Sequence, residues 1–297
     1  MQIAKVIILE GPDGGGKTTL VNQLRDKYGY QVIKTGPPRP DENVFKSYTN
    51  SLLAAVESGK PTVIDRHYMG EAIYGPLLRG KDRLGLQGRD LIERLVSARG
   101  VTLVICAPPW SALVKGWKGK DDLLKRQEQL RKVNDAYLAE AERLGLMIYD
   151  WTAGENTLSL TAPPQLPEGV TGYHNADTLF IGERPGKKHI VWDLPFHNVG
   201  GSSKYLWEAL QGIDCWREQR GAWVNAFSAT GRPTDLSLVV DSLPSVKRVV
   251  ALGAVAYQET INQVVESIQV PHPAYWRRFH AHDVTGYQKT LTEVLTV

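Results

Sequence analysis

Gly11-Pro12-Asp13-Gly14-Gly15-Gly16-Lys17-Thr18 satisfies the spacing G-x-x-x-x-G-K-[ST], and no other stretch of the chain restricts its folding as tightly. An apolar, β-branched run at residues 3–10 (IAKVIILE) precedes it, and a helical pattern runs from Lys17 through Leu24, giving the strand, loop and helix that this spacing demands. Glycines let successive backbone N–H groups turn inward around a polyphosphate, and the helix N-terminus adds partial positive charge. Gly11, Gly14, Gly15, Gly16, Lys17, Thr18 and Thr19 are therefore the expected ATP-binding loop. In such a loop the lysine reaches the β and γ phosphates, and the Thr18 hydroxyl can ligate Mg²⁺.

Two further buried strands are expected at 62–66 (TVIDR) and 101–107 (VTLVICA), with helical patterns at 90–100 and, long and charged, at 121–145. Strands alternating with helices imply an α/β fold: a parallel sheet with helices on both faces. Asp65 and Arg66 end the first of these two strands at its carboxyl edge, where open α/β sheets bind ligands. There Asp65 can hold Mg²⁺ through water, and Arg66 can clamp an acceptor phosphate in bidentate fashion.

The length of 297 residues, 42% of them hydrophobic, suits two domains with proper cores. Thirty-five Lys plus Arg against 32 Asp plus Glu leave a net charge of +3, so any nucleic-acid contact has to be local. The two cysteines, Cys106 and Cys215, lack CxxC spacing, which excludes a cysteine-ligated zinc ribbon and fits a reducing cytoplasm. The first apolar run is too short for a membrane span, and no membrane partner is expected. Around 152–176 the text turns to Pro, Gly and Thr, which places a linker at 163–172 between domains at 1–162 and 173–297. The second domain reads as a smaller α/β unit, with strands at 178–183, 222–227 and 247–253 and helices at 202–212 and 254–268. It holds 12 Lys plus Arg, 12 Asp plus Glu and six of the seven histidines, a composition suited more to a ring pocket than to a phosphate-coating surface.

EGPDGGGKTTL, DRHYMGEAIYGP, TLVICAPPWSAL and KVNDAYLAEAERLG, taken together, resemble the thymidylate kinase family of nucleoside-monophosphate kinases over roughly residues 3–155. The resemblance implies an ATP- and Mg²⁺-dependent phosphotransferase acting on a deoxynucleoside monophosphate, most simply a pyrimidine one, and is compatible with a homodimer. By position, Asp13 would meet the sugar 3′-hydroxyl, Arg66 and Arg79 the acceptor phosphate, and Tyr74 the nucleotide pocket. The chain departs from the pattern at Tyr74-Gly75-Pro76, where a Tyr-Gln pair is usual, and in the lid. There Lys115, Lys118 and Lys120 replace the common arginine, leaving Arg126 as the remaining guanidinium candidate.

Gly182-Glu183-Arg184-Pro185-Gly186, Pro195-Phe196, Val224-Asn225-Ala226, Ala251-Leu252-Gly253 and His272-Pro273-Ala274-Tyr275 occur in an order that resembles the uracil-DNA glycosylase superfamily. The resemblance implies that Gly182 to Gly186 form a pocket loop, Phe196 stacks on a base, Asn225 bonds its edge and His272 faces the glycosidic bond. Where an acid often follows the first loop, this chain has Lys187, Lys188 and His189, leaving Glu183 and Asp193, so base binding is expected over base release. Two other assignments stay open: a kinase acting on a hydroxymethyl pyrimidine in DNA, with the second domain flipping the base, and a glycosylase with an ATP-responsive module.

Overall fold

A computed structural model describes residues 4–117, 119, 123–153, 166–173, 175–185, 201–217, 221–280 and 283–296. The chain divides into two compact units, Met1–Ile92 with Arg99–Pro163, and Glu93–Ala98 with Pro164–Val297. Among the described residues no helix is long and apolar enough to cross a membrane.

The first unit contains β1 (Val6–Glu10), α1 (Lys17–Tyr28), β2 (Gln31–Lys34), α2 (Val44–Glu57), β3 (Thr62–Asp65), α3 (Tyr68–Arg79), α4 (Gly85–Ala98), β4 (Thr102–Cys106), α5 (Trp110–Gly116), α6 (Gln127–Leu144) and β5 (Met147–Tyr149). The Glu93–Ala98 end of α4 is grouped with the second unit. The five strands form one sheet in the order β2-β3-β1-β4-β5, every pair parallel. β1, β3 and β4 are buried at every residue, as strands covered by helices on both faces must be. Ile7 and Leu9 of β1, with Val63, Val104 and Cys106, pack against Leu20, Val21 and Leu24 of α1. Leu9 pairs with Asp65, so the loop after β1 and the acid ending β3 reach the same carboxyl edge.

The second unit contains β6 (Thr171–Gly172), β7 (Thr178–Gly182), α7 (Gly201–Gln211), β8 (Gly221–Asn225), α8 (Leu236–Asp241), β9 (Arg248–Leu252), α9 (Ala254–Asn262), β10 (Ile268–Val270), α10 (Pro273–Phe279) and α11 (Val284–Leu295). Its sheet runs β10-β9-β7-β8-β6, parallel except for the antiparallel edge pair of β6 with β8. Side chains alternate across it. Leu179, Ile181, Val224 and Ala251 face Leu236, Val239 and Ala256 on one side, and Phe180, Trp223, Val250 and Leu252 face Leu206, Leu210 and Leu291 on the other.

Several boundaries differ from the sequence reading. The helix expected at 254–268 stops at Asn262, because Val264 turns left-handed at φ 57° and the chain re-enters the sheet as β10. The long charged helix expected from 121 starts at Gln127, with Arg126 extended ahead of it as the N-cap. Within the expected linker at 163–172, Leu166 and Val170 are buried in the second unit's core, and Thr171–Gly172 are its edge strand.

Candidate functional site

The loop after β1 closes tightly on its neighbours. Gly11 has φ 140°, and a Cβ there would lie 2.3 Å from the Cys106 carbonyl oxygen, so no other residue fits. Gly14, at φ 79°, meets the end of α5: a Cβ there would be 2.8 Å from the Trp117 backbone nitrogen. Gly15 is buried, and Gly16 carries the left-handed turn into α1, with φ 91°. Lys17 is buried, and its Nζ donates to the carbonyls of Gly11 and Pro12, each at 2.7 Å. Burial, and then the nearby Arg66, hold its pKa below the ordinary lysine value. Thr18 and Thr19 stand exposed on the first turn of α1.

Asp13 turns the other way. Its backbone N–H donates to Tyr74 Oη at 3.1 Å, and its buried carboxylate lies 3.7 Å from Arg66 Nη2 through Oδ1. Among the described residues Asp13 Oδ2 and Asp65 Oδ1 are buried without a hydrogen-bond partner. Two acids therefore present bare oxygens beside the phosphate loop, an arrangement that costs free energy unless something cationic or protic meets them. Arg66 holds a left-handed backbone, φ 69°, unusual for a residue with a side chain. Its N–H donates to Leu9 O at 2.9 Å, and its own carbonyl accepts from the Thr35 hydroxyl at 2.6 Å. That strain turns the guanidinium outward, half exposed, off the end of a buried strand.

Beyond Arg66 opens a cavity of about 220 Å³. Arg66, His67, Gly70, Glu71, Tyr74, Leu78 and Arg79 line it from the β3–α3 segment, and Thr35 to Pro38, Tyr48, Leu123 and Tyr137 complete it. The sequence-assigned Arg66, Tyr74 and Arg79 thus share one cavity, but Arg79 is ion-paired within it to the buried Glu71 carboxylate.

Two buried residues at this edge escaped the sequence reading. Glu10, the last residue of β1, accepts through Oε1 from the backbone N–H groups of His67 (2.9 Å), Met69 (3.0 Å) and Gly70 (3.3 Å), and through Oε2 from Tyr137 Oη (3.3 Å). It thereby caps the start of α3 and fixes the turn that carries Arg66. Burial pushes its carboxyl up to about 7 despite those hydrogen bonds and the nearby Lys17. His67 is fully buried with Nε2 2.9 Å from the Tyr48 carbonyl, so Nε2 carries the proton, and burial lowers the ring's pKa to about 4. The sequence signal for Glu10 was there: it is a lone acid closing the buried run VIILE.

The four basic residues expected in a lid fall in different places. Lys115 is exposed in the last turn of α5, and Arg126 is exposed at the start of α6, where its N–H donates to Gln129 Oε1 at 3.2 Å. Lys118 and Lys120 lie outside the described residues.

No protein-family model matches the chain, and no curated protein matches it. Among solved structures it is similar to the YorR protein of Bacillus subtilis in complex with phosphorylated GDP, at 22% identity over 51% of this chain and 88% of that one, with a TM-score of 0.38. The deoxyadenosine kinase of M. mycoides with bound dCTP is 15% identical over 49% of this chain and 89% of its own, TM-score 0.31. A thymidylate kinase from Candida albicans is 18% identical over 50% and 84%, TM-score 0.31.

In the second unit, Gly182 and Asn225 end β7 and β8 and are paired in register. Glu183 follows directly, and the pairing runs on past the C-terminal ends of both strands, since Phe227 N–H donates to the Glu183 carbonyl at 2.9 Å. His272, on the loop after β10, accepts at Nδ1 from Ala274 N–H at 3.0 Å. Burial lowers its pKa, and the charge of Glu183 opposes that shift. Gly182, Glu183, Asn225 and His272 therefore gather at the carboxyl edge of one sheet. Gly186, Asp193 and Phe196 lie outside the described residues.

Proposed function

We propose that the chain transfers the γ-phosphoryl group of ATP to a deoxynucleoside monophosphate. The observation that carries this reading is the seam between phosphate loop and cavity, where Asp13 from the loop and Arg66 from the cavity stand 3.7 Å apart. A phosphotransferase needs its donor phosphates and its acceptor held in line on either side of such a seam. On the donor side Lys17 can exchange its two carbonyl partners for β- and γ-phosphate oxygens, and the exposed first turn of α1 offers Thr18. On the acceptor side Arg66 holds the receiving phosphate, Asp13 takes a sugar hydroxyl, and Tyr74 closes the cavity beside it. A preference for a pyrimidine acceptor rests on the motif resemblance.

Mg²⁺ fits this seam. Among the described residues Asp65 Oδ1 is buried without a partner, Thr18 is exposed, and no cluster of three His, Cys, Asp or Glu forms a closed protein cage. Few hard oxygen donors beside a phosphate loop suit an ion that keeps waters and shares phosphate oxygens. When bound it neutralises phosphate charge. For the second unit we propose base binding at the edge formed by Gly182, Glu183, Asn225 and His272, which is supported by their convergence and by the lone-pair demands of a ring edge.

The test is one panel with labelled ATP and Mg²⁺: every deoxynucleoside monophosphate, duplex DNA carrying hydroxymethyl pyrimidines, and single-stranded DNA containing uracil. Label in a free pyrimidine monophosphate is the expected result. Label in DNA would move the acceptor to the modified base, release of uracil without ATP would make the second unit the enzyme, and transfer to nothing would overturn the proposal.

A further inference from the structure

After β2 the chain runs Thr35-Gly36-Pro37-Pro38-Arg39-Pro40, and its first four residues form one wall of the acceptor cavity. Its three prolines carry no N–H, so this strip has few donors with which to join a ladder, and its carbonyls are its handles. One side chain takes three of them. Arg83 Nη1 donates to Arg39 O at 2.7 Å and to Pro40 O at 3.3 Å, and its Nη2 donates to Pro38 O at 3.4 Å.

The same residue reaches the opposite way. Arg83 Nε and its backbone N–H both donate to Glu71 Oε1 at 3.3 Å. Glu71 lies on α3 with a fully buried carboxylate that lines the cavity, and its second oxygen takes Arg79. Arg83 is absent from the cavity lining and its side chain is only 13% exposed. It does not line the space an acceptor occupies, and only a small part of its side chain meets water; it touches the residues that bound that space. A planar guanidinium with five fixed donors can serve a carboxylate on one edge and carbonyls on the other, whereas an ammonium cannot span both.

We infer that Arg83 is a positioning residue that sets the width of the acceptor cavity by tying its proline wall to its acidic floor. The inference rests on the acceptor-site reading of that cavity. A ring entering between the Pro37-Pro38 wall and α3 meets a gap whose two sides are joined through one guanidinium. Releasing it frees the strip at Pro38 to Pro40, while Thr35 stays bonded to the Arg66 carbonyl, and leaves Arg79 as the neighbouring guanidinium on a buried acid. Binding of the acceptor and discrimination by ring size should then weaken together, with the ATP side untouched.

The experiment compares wild type, Arg83→Lys and Arg83→Gln in the full chain. Steady-state kinetics are measured for ATP and for purine and pyrimidine deoxynucleoside monophosphates, alongside hydrogen exchange of the peptide spanning residues 31–45. Expected are an acceptor KM raised about tenfold or more, with kcat and the KM for ATP within about threefold of wild type. The ratio of kcat/KM between pyrimidine and purine acceptors should fall about tenfold, and amides of the strip should exchange about tenfold faster. Arg83→Lys should do no better than Arg83→Gln, because charge alone does not supply the fork. Full rescue by lysine, an unchanged selectivity ratio, or unchanged exchange of the strip would each overturn the inference. If wild type transfers phosphate to no acceptor, the acceptor reading fails by itself, and the exchange measurement still decides whether Arg83 holds the strip.

Discussion

Lys17 keeps its ammonium buried against two loop carbonyls, so the phosphate loop carries its own cation even before it meets an anion. Replacing it by alanine removes that charge and leaves the Gly11 and Pro12 carbonyls facing the loop. Lys17→Ala should cut phosphoryl transfer by about 10³-fold or more, the scale on which cations stabilise the transferring group. The check is single-turnover transfer from ATP together with a far-ultraviolet spectrum, and near-normal turnover would sink the kinase reading. Glu10 allows a thermodynamic test. Its carboxyl is raised from 4.5 to about 7 in the folded chain, so between those values the folded state holds a proton that the unfolded state has released. Stability from this group is complete below about pH 4.5 and is lost as pH rises through about 7. A tenfold change in proton affinity is about 1.4 kcal/mol, which makes the loss roughly 3 kcal/mol. His67, lowered to about 4, gives the opposite slope below its ordinary 6.5, and both proteins share it. Urea unfolding of Glu10→Gln should therefore gain roughly 3 kcal/mol on wild type between pH 4.5 and pH 8, and a constant difference would contradict the raised carboxyl.

At the scale of elements, α9 ends in a Schellman motif with the wrong residue in it. Val264 N–H donates to Ile261 O at 3.1 Å and Val265 N–H to Thr260 O at 2.8 Å, the two bonds of that motif. The left-handed position at φ 57° belongs to a β-branched valine that is 92% exposed. A left-handed valine costs about 1–2 kcal/mol, and glycine returns part of that gain as unfolded-chain entropy. Val264→Gly should raise stability by up to about 1 kcal/mol and Tm by about 2 °C, read by calorimetry; a lower Tm would mean the valine packs where it looks exposed. The same helix shows why sequence reading overran. Residues 254–268 keep an apolar rhythm past Asn262, and nothing local in Gln263-Val264 marks the stop. β2, β5 and β10, of three or four residues each, went unread because so short a run carries no period. The strand, glycine loop and helix at 6–28 were legible because their residues are contiguous in sequence. The cavity beyond Arg66 was not, since Thr35, Tyr48, Leu123 and Tyr137 are brought to the β3–α3 segment only by the packing of separate elements.

At the scale of the molecule, two sheets with separate cores were readable from the repeated strand and helix alternation, but the seam between their sequences was not. Pro, Gly and Thr around 163–172 look like linker by composition. Yet Leu166 and Val170 are 6% and 3% exposed in the second unit's core, and Thr171–Gly172 pair with β8 as its antiparallel edge. Composition misled because two apolar side chains spaced four apart are too sparse a signal to outweigh the prolines around them. The consequence is measurable. A fragment of residues 164–297 retains both side chains and the edge strand, whereas 173–297 loses them and bares the free edge of β8. Burying each aliphatic side chain contributes about 1.5–3 kcal/mol, so the shorter fragment should be less stable by about 3 kcal/mol or more in urea, and should associate at concentrations where the longer one stays monomeric. Both fragments lack Glu93–Ala98, which is grouped with the second unit, so that loss cancels in the comparison. Coincident urea midpoints and equal sedimentation would show that residues 164–172 contribute nothing to the second unit, and the buried positions of Leu166 and Val170 would then have no energetic weight.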